Sequence, residues 1–277
     1  MSPPRAGATV APSPALAFSD RMETSETVMA STFSAKTFSG TVGIVPALDI
    51  ETQEKFDAVV KATSGVPGVA GYKLGLTSVL RHGLKESMRR VRDLTDLPIL
   101  YDHQKAGPDM PDMAKKFTAL CAEAEVDGLI LFPVAGPTAV DGFVGEALKA
   151  GIAPVVGGEI PVADYGVSGG GYLLDNALDL ILARSVQGGA DHFVLPAHDA
   201  AKVTRWSGWI AANVKNPLVF LTGFGSLGGT IEGAFAAAAA CPRRFAIVGR
   251  LITDAKDPAA AATALYEKMQ ALEATAP

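Results

Sequence analysis

The chain has 277 residues, 48% of them hydrophobic, and its formal net charge is −5. This length fits one large domain or two ordinary ones, and the lack of a basic surplus argues against non-specific nucleic-acid binding. No apolar run approaches the roughly 18 residues of a membrane-spanning helix. Cys121 and Cys241 lack the spacing of a metal site, so we expect reduced core thiols in a cytoplasmic protein without a structural metal.

The first forty residues differ in composition from the rest of the chain. Residues 1–40 are rich in Ala, Ser, Thr and Pro, show no hydrophobic periodicity and lack the compact apolar segment of a secretory signal. Asp20, Glu23 and Glu26 weaken the alternative of a transit peptide. We therefore expect a low-complexity, flexible arm over residues 1–40 and one catalytic domain over residues 41–277.

From residue 43 onward, short apolar runs alternate with longer segments of helical pattern. The apolar runs do not alternate with polar residues, which is typical of strands buried on both faces. The predicted strands are Gly43–Leu48, Val69–Leu74, Leu97–Tyr101, Gly128–Phe132, Ile152–Val156, His192–Leu195, Leu218–Leu221 and Phe245–Val248. The helical segments include Glu51–Thr63, Asp109–Ala124, Ala139–Ala150, Leu174–Gln187 and Pro258–Leu272. This repetition predicts a single-domain (β/α)8 TIM barrel, with a doubly wound open sheet as the alternative.

Polar residues follow most of these predicted strands. In such barrels the chemistry is carried by the carboxyl ends of the strands and the loops after them. The polar residues at those ends are Asp49, Lys73, Asp102, His103, Lys105, Glu159, His198, Thr222 and Arg250, the last of which follows Gly249. One rim of the barrel is therefore expected to carry the functional site.

Two adjacent units end in features that suit a phosphate group. Strand seven is followed by a glycine-rich loop, and strand eight by Gly249 and Arg250. The glycines of that loop are Gly223, Gly225, Gly228 and Gly229. Glycines let backbone N–H groups approach an anion, and an arginine adds a planar fork of donors. We expect a phosphorylated ligand here, whereas ordinary turns and a structural ion pair are the alternative.

A second group of charges follows the first three strands. Lys73 ends an apolar run, where a lysine is costly to bury unless it faces carboxylates. Asp49 and Asp102 end the neighbouring strands and are its natural partners. Lys105 and Asp109 complete a cluster of alternating charge, although any one of these residues alone could be a solvated loop charge.

An ordered series of motifs spans most of the chain. Its members are Pro46–Asp49, Tyr72–Gly75, Phe193–Ala197, Val248–Ile252 and Asp257–Ala261. By these motifs the sequence resembles the orotidine 5′-phosphate decarboxylases, over about residues 44–269. The resemblance implies cofactor-free decarboxylation of orotidine 5′-phosphate to UMP, a carboxy-lyase step of pyrimidine biosynthesis, by a homodimeric barrel.

The motif after strand three departs from the family pattern. The family has Asp-x-Lys-x-x-Asp, whereas here Asp102, Lys105 and Asp109 are spaced Asp-x-x-Lys-x-x-x-Asp. Residues three apart do not share a strand face, so the backbone must bulge or leave the strand between Asp102 and Lys105 if the two are to converge. The dipeptide at residues 107–108 can absorb the second extra residue in a turn. His103 would be either an acid–base group or a hydrogen-bonding spacer in this bulge, and we expect His198 to cap a helix.

The resemblance also assigns roles to individual residues. Lys73, Asp102, Lys105 and Asp109 would form the catalytic array, with Asp109 donated across the dimer interface and Lys105 protonating the carbanion. The ribose would contact Asp49 and Thr222, and the phosphate would contact the glycine-rich loop, Gly249 and Arg250. The family usually reads the pyrimidine with a serine after strand five, but residues 157–161 contain none.

Two other functions fit the same sequence features. One is a magnesium-dependent decarboxylase or aldolase of sugar phosphates, which would use the altered motif and Glu159. The other is a non-catalytic barrel that binds a phosphorylated ligand, although such a protein gains little from burying paired charges.

Overall fold

The computed structural model describes residues 38–275, apart from the side chains of residues 104–106 and 275. Eight parallel strands pair in chain order and close into a barrel. The strands are β1 Val42–Leu48, β2 Tyr72–Leu74, β3 Ile99–Ala106, β4 Gly128–Leu131, β5 Ala153–Val156, β6 His192–Pro196, β7 Leu218–Thr222 and β8 Arg243–Val248. The predicted TIM barrel is confirmed, and the open-sheet alternative is wrong because β8 pairs with β1.

Helices follow the strands and form the outer layer. They are α1 Gln53–Thr63, α2 Leu76–His82, α3 Leu84–Arg92, α4 Met113–Glu123, α5 Pro137–Lys149, α6 Ala177–Gln187, α7 Ala200–Asn213, α8 Ile231–Ala237, α9 Arg250–Thr253 and α10 Pro258–Thr275. The cap of α7 is Asp199, whose side chain accepts from the Lys202 backbone N–H, so the capping role predicted for His198 is wrong. Within residues 38–275, no helix combines the length and apolar character needed to cross a membrane.

Alternate residues of the strands face two different apolar environments. On β7, Leu218 and Phe220 belong to the cluster inside the barrel. Val219 and Leu221, the residues next to them, pack in the layer between strands and helices. Both faces of β7 are therefore buried, which explains its unalternating pattern, and each large apolar side chain adds about 1.5–3 kcal/mol of burial free energy.

Phe38 closes the amino-terminal end of the barrel. Its ring is 3% exposed and lies edge-on to Phe220, with the ring centres 5.0 Å apart. Its carbonyl oxygen accepts a 2.6 Å hydrogen bond from Nη2 of Arg243, at the start of β8. A Cβ at Gly71 would lie 2.6 Å from the Phe38 ring, so the close approach depends on that glycine. Thus Phe38, near the end of the arm predicted over 1–40, packs against the barrel, residues 39 and 40 are exposed, and residues 1–37 lie outside the described residues.

Two strands differ from their predicted bounds by three residues or more, for reasons of pairing. β2 begins at Tyr72 rather than Val69, because Val69 makes only an isolated bridge to Ile44. β3 extends to Ala106 rather than ending at Tyr101, because Ala106 pairs again with β4. The predicted motif at residues 102–105 consequently lies within the strand and not in the loop after it.

Candidate active site

A cavity of about 560 Å³ opens at the carboxyl ends of the strands. Its volume lies in the range of small-molecule sites, and its wall is largely apolar with a limited set of polar groups. The polar side chains that line it are Asp49, Lys73, Asp102, Glu159, Thr222, Ser226, Arg250 and Asp254. The cavity therefore unites the two predicted regions, the charged group after β1–β3 and the glycine–arginine region after β7 and β8.

Lys73 lies between two carboxylates at one end of this cavity. Its Nζ is 2.7 Å from Oδ2 of Asp49 and 3.4 Å from Oδ2 of Asp102. Burial acts to lower the pKa of Lys73, but the charges of Asp102 and Asp49 outweigh it, and the pKa is raised above its ordinary value. The side chain is therefore a fixed cation, and the predicted pairing of these three residues is confirmed.

The loop after β1 is held in place by small residues of the next unit. A Cβ at Gly75 would lie 1.4 Å from Oδ1 of Asp49, so the carboxylate occupies space that any side chain would take. The hydroxyl of Ser78 donates a 2.5 Å hydrogen bond to the carbonyl oxygen of Leu48. Together, these contacts fix the direction in which Asp49 faces Lys73.

The bulge predicted after Asp102 is present in β3. Tyr101 pairs with Leu129, and the next pair joins Ala106 to Leu131, so five steps along β3 match two steps along β4. Asp102 is 7% exposed and lines the cavity. This irregularity accommodates the unusual spacing of the motif without breaking the strand.

His103 lies outside the cavity and serves as the predicted hydrogen-bonding spacer. Its Nδ1 is hydrogen-bonded to the hydroxyl of Tyr101, and its ring centre lies 5.3 Å from that of Phe117. Burial raises the pKa of the Tyr101 hydroxyl, which favours its protonated, donating form. The position gives no support to the alternative of an acid–base role.

The roles of the remaining two residues of the predicted catalytic array are not tested by the geometry of the cavity. The backbone of Lys105 belongs to β3, but its side chain lies outside the described residues. Asp109 is exposed, and its Oδ1 accepts a 2.7 Å hydrogen bond from the backbone N–H of Met110. Gly107, with φ of +115°, makes the turn between them. The roles of Lys105 and Asp109 stay predictions.

The glycines after β7 shape a tight loop. Gly223, Gly225 and Gly228 have φ of +94°, +73° and +94°, which other residues rarely adopt. The backbone N–H groups of Gly225 and Gly229 donate to carbonyl oxygens within the same loop. The cationic side chain that this region directs toward the cavity is Arg250, whose Nη2 donates a 2.5 Å hydrogen bond to the Ser226 hydroxyl. Thr222 and Gly249 line the cavity between them.

Sequence reasoning missed part of the cavity wall. Ile130, Phe132 and Val194 line it, yet strand residues of this kind are indistinguishable in sequence from ordinary core residues. Asp254 also lines the cavity and is paired with Lys55 at 2.6 Å, a contact between distant parts of the chain with no sequence signal. Among residues 38–275 whose side chains are described, no three His, Cys, Asp or Glu side chains are grouped to hold a metal ion.

The fold and the cavity define an enzyme of the (β/α)8-barrel class with a buried lysine–carboxylate group at the rim. A family model matches residues 43–265, and the chain belongs to the orotidine 5′-phosphate decarboxylase / HUMPS family. The motif resemblance is thereby confirmed. None of the curated protein sequences matches the chain.

Solved structures of orotidine 5′-monophosphate decarboxylases share this fold. The Methanocaldococcus jannaschii protein complexed with inhibitor BMP is 21% identical with a TM-score of 0.68, over 83% of this chain and 99% of that one. The Sulfolobus solfataricus protein is 16% identical with a TM-score of 0.66, over 85% and 100%. The Pyrococcus horikoshii OT3 protein is 21% identical with a TM-score of 0.63, over 82% and 99%.

Proposed function

We propose that this carboxy-lyase converts orotidine 5′-phosphate to UMP and carbon dioxide without a cofactor. The observation that carries the proposal is the position of Lys73, held between Asp49 and Asp102 in a cavity whose other end presents Arg250. Family membership supports the reaction, and the BMP complex of the Methanocaldococcus jannaschii relative supports a phosphorylated nucleotide as the ligand.

The charged end would carry out the chemistry. The bond between ring carbon C6 and the carboxyl group breaks, carbon dioxide leaves, and the electron pair stays on C6. The cations of Lys73 and Lys105 would stabilise that negative charge, and the ammonium of Lys105 would then donate a proton to C6. Asp102 would lie beside the departing carboxyl group and hold Lys73 in place.

The other end would bind the non-reacting part of the substrate. Arg250 would form charge-assisted hydrogen bonds with the phosphate, and the glycine loop would allow close approach of that group. Asp49 and Thr222 would contact the ribose. Binding energy from these remote contacts is available to position the pyrimidine for reaction. The proposal includes a cytoplasmic homodimer in which Asp109 of each subunit completes the other subunit's site.

The two alternatives have less support. A non-catalytic barrel does not account for membership of an enzyme family whose matched region includes the whole charged cavity. A magnesium-dependent sugar-phosphate enzyme would need metal ligands near Glu159, and the nearest charged groups there are His198 and Lys202. Lys202, a cation, is the closer of the two, which favours an ion pair over a metal site.

The test is an ultraviolet assay of orotidine 5′-phosphate turnover, with and without EDTA, on wild type, Lys105→Ala and the control Lys115→Ala. Lys115 is exposed on α4, so its substitution tests the loss of a lysine away from the cavity. We expect turnover that resists EDTA, survives in Lys115→Ala and is lost in Lys105→Ala. No turnover by folded wild type would overturn the proposal, and turnover abolished by EDTA would favour the magnesium-dependent enzyme.

A further inference from the structure

One wall of the cavity has no role in the proposed mechanism. The ring carbon that reacts would lie at β2 and β3, and the phosphate at β7 and β8. The closed strand order leaves β4, β5 and β6 as the remaining wall. This wall contributes Ile130, Phe132, Val194 and the segment at residues 159–162. Among these lining residues, only Glu159 has a polar side chain.

Glu159 is built as a fixed, buried acceptor. The residue is 9% exposed, and its Oε1 lies 2.7 Å from Nζ of Lys202. A buried carboxylate is costly unless a cation compensates it, and Lys202 supplies that cation. Lys202 is in turn held by the first turn of α7, which Asp199 caps. Among the described residues, Lys202 and His198 both approach Oε1 of Glu159, so Oε2 is the oxygen open to a ligand.

The chemistry of a pyrimidine fits an acceptor at this position. In the six-membered ring, N3 is directly across from C6, so fixing C6 at Asp102 turns N3 away from the lysine–carboxylate group. Because N1 is bonded to the ribose in a nucleotide, N3 carries the single ring N–H of the uracil and orotate bases, whereas cytosine has a lone pair there. An ionised carboxylate only accepts hydrogen bonds, so it suits the first two rings and opposes the third.

We infer that Glu159, positioned by Lys202, accepts a hydrogen bond from N3–H of the pyrimidine and determines the specificity for that ring. This inference rests on the proposed function and assigns the base-reading role to a residue that the family resemblance leaves open. A site that satisfies a substrate N–H rejects analogues lacking it, because the acceptor is then left buried and unpaired.

The experiment measures binding of UMP, CMP and 3-methyl-UMP by calorimetry, so that it does not depend on turnover. Wild type should bind UMP about 10- to 100-fold more tightly than the two ligands without N3–H, as expected for a hydrogen bond to a charged group. In Glu159→Gln, the amide can donate to N3 of CMP, and the preference for UMP over CMP should fall by about 10-fold.

Glu146→Gln is the matched control. Glu146 also accepts a 2.7 Å hydrogen bond from a lysine, Lys149, but this pair lies on the outer surface of α5. The control should keep the wild-type preference. Equal binding of UMP and 3-methyl-UMP by wild type would overturn the inference without any variant. An unchanged preference for UMP over CMP in Glu159→Gln would also overturn it. In either case, turnover of orotidine 5′-phosphate by wild type would show that the proposed function stands independently of the inference. Folded wild type that binds no UMP would overturn both.

Discussion

Lys73 is 5% exposed, and its ammonium group lies against the carboxylates of Asp49 and Asp102. The two carboxylates differ in environment, because the side chain of Asp49 is 41% exposed and that of Asp102 is 11% exposed. Solvent therefore screens the first contact more than the second. Removal of the lysine would take the Lys73 cation away from the buried Asp102, which is costly for a buried charge.

We predict that Lys73→Met lowers kcat/KM by more than about 1000-fold, because a preorganised charge in a water-poor site is lost. It should also lower the free energy of unfolding by about 3 kcal/mol, since the buried Asp102 loses the ion pair with Lys73. Turnover assays and urea unfolding measure the two effects. The double variant Lys73→Met/Asp102→Asn should regain stability but not activity. Wild-type turnover in the single variant would contradict the proposed mechanism.

At the scale of the elements, the bulge in β3 separates two adjacent residues with opposite surroundings. Asp102 faces the cavity, and His103 packs outside it against Tyr101 and Phe117. Thus β3 places the side chain of Asp102 in the cavity, and the side chain of His103 packs against α4. This pair of neighbours provides its own control for a mutational test.

We predict that Asp102→Asn abolishes measurable decarboxylation, whereas His103→Leu keeps kcat within about threefold of wild type. His103→Leu should instead cost about 1 kcal/mol of stability, because the hydrogen bond with Tyr101 is lost. Steady-state kinetics measure kcat, and thermal unfolding measures the stability, of both variants. A large loss of kcat in stable His103→Leu would restore the acid–base role for this histidine.

The barrel was predictable from sequence because its strands are buried on both faces and each is followed by a helical pattern. The pairing of Lys73 with two carboxylates was predictable for a similar reason, since a lysine after an apolar run requires partners. The exact bounds of β2 and β3 were not, because cross-strand pairing at Val69 and Ala106 decides them. The apolar wall and the contact of Glu159 with Lys202 join distant segments, which local patterns do not encode.

At the scale of the whole molecule, the two ends of the barrel have different tasks. The carboxyl end carries the cavity, and the amino end is filled by Phe38 together with Phe220 and Phe245. In barrels of this class, side chains at the amino end contribute to stability rather than chemistry. Changes at the two ends should therefore separate activity from stability.

We predict that Phe38→Ala lowers the free energy of unfolding by about 3 kcal/mol, because a large buried ring leaves a cavity. For a domain of this size, the expected decrease in Tm is about 6–12 °C. The kcat of the folded variant should stay close to wild type, since the ring is remote from the active-site cavity. Calorimetry measures the Tm and turnover assays measure kcat. An unchanged Tm would contradict the proposal that Phe38 stabilises the amino end of the barrel.

The pH dependence of stability is set by buried groups that are protonated in the folded state. Burial raises the pKa of Tyr72 to about 12 and that of Cys241 to about 11. As the pH rises, the unfolded chain releases these two protons before the folded chain does. The contribution of Tyr72 and Cys241 to the free energy of unfolding is therefore complete below about pH 9 and is lost between there and about pH 12. Urea unfolding at pH 8, 10 and 11 should show a progressive loss of stability.

Tyr72→Phe is the control for this pH effect. Because phenylalanine does not titrate, the loss of stability above pH 10 should be shallower in the variant than in wild type. The hydroxyl of Tyr72 is hydrogen-bonded to the side chain of Thr63 at 2.7 Å, so the variant should also be less stable at neutral pH. Equal slopes in the two proteins would show that Tyr72 does not contribute.

The seal at Phe38 has a consequence for the order in which the chain acquires its structure. The hydrogen bond from Arg243 to Phe38 joins residues 205 positions apart, and the rings of Phe220 and Phe245 are similarly distant in sequence. During synthesis, the first of these partners leaves the ribosome long before the others exist. Contacts of such high sequence separation form slowly, because a long loop must close before they are made. Closure of the barrel therefore waits for β8, and the growing chain has an open apolar interior until that strand has left the ribosome.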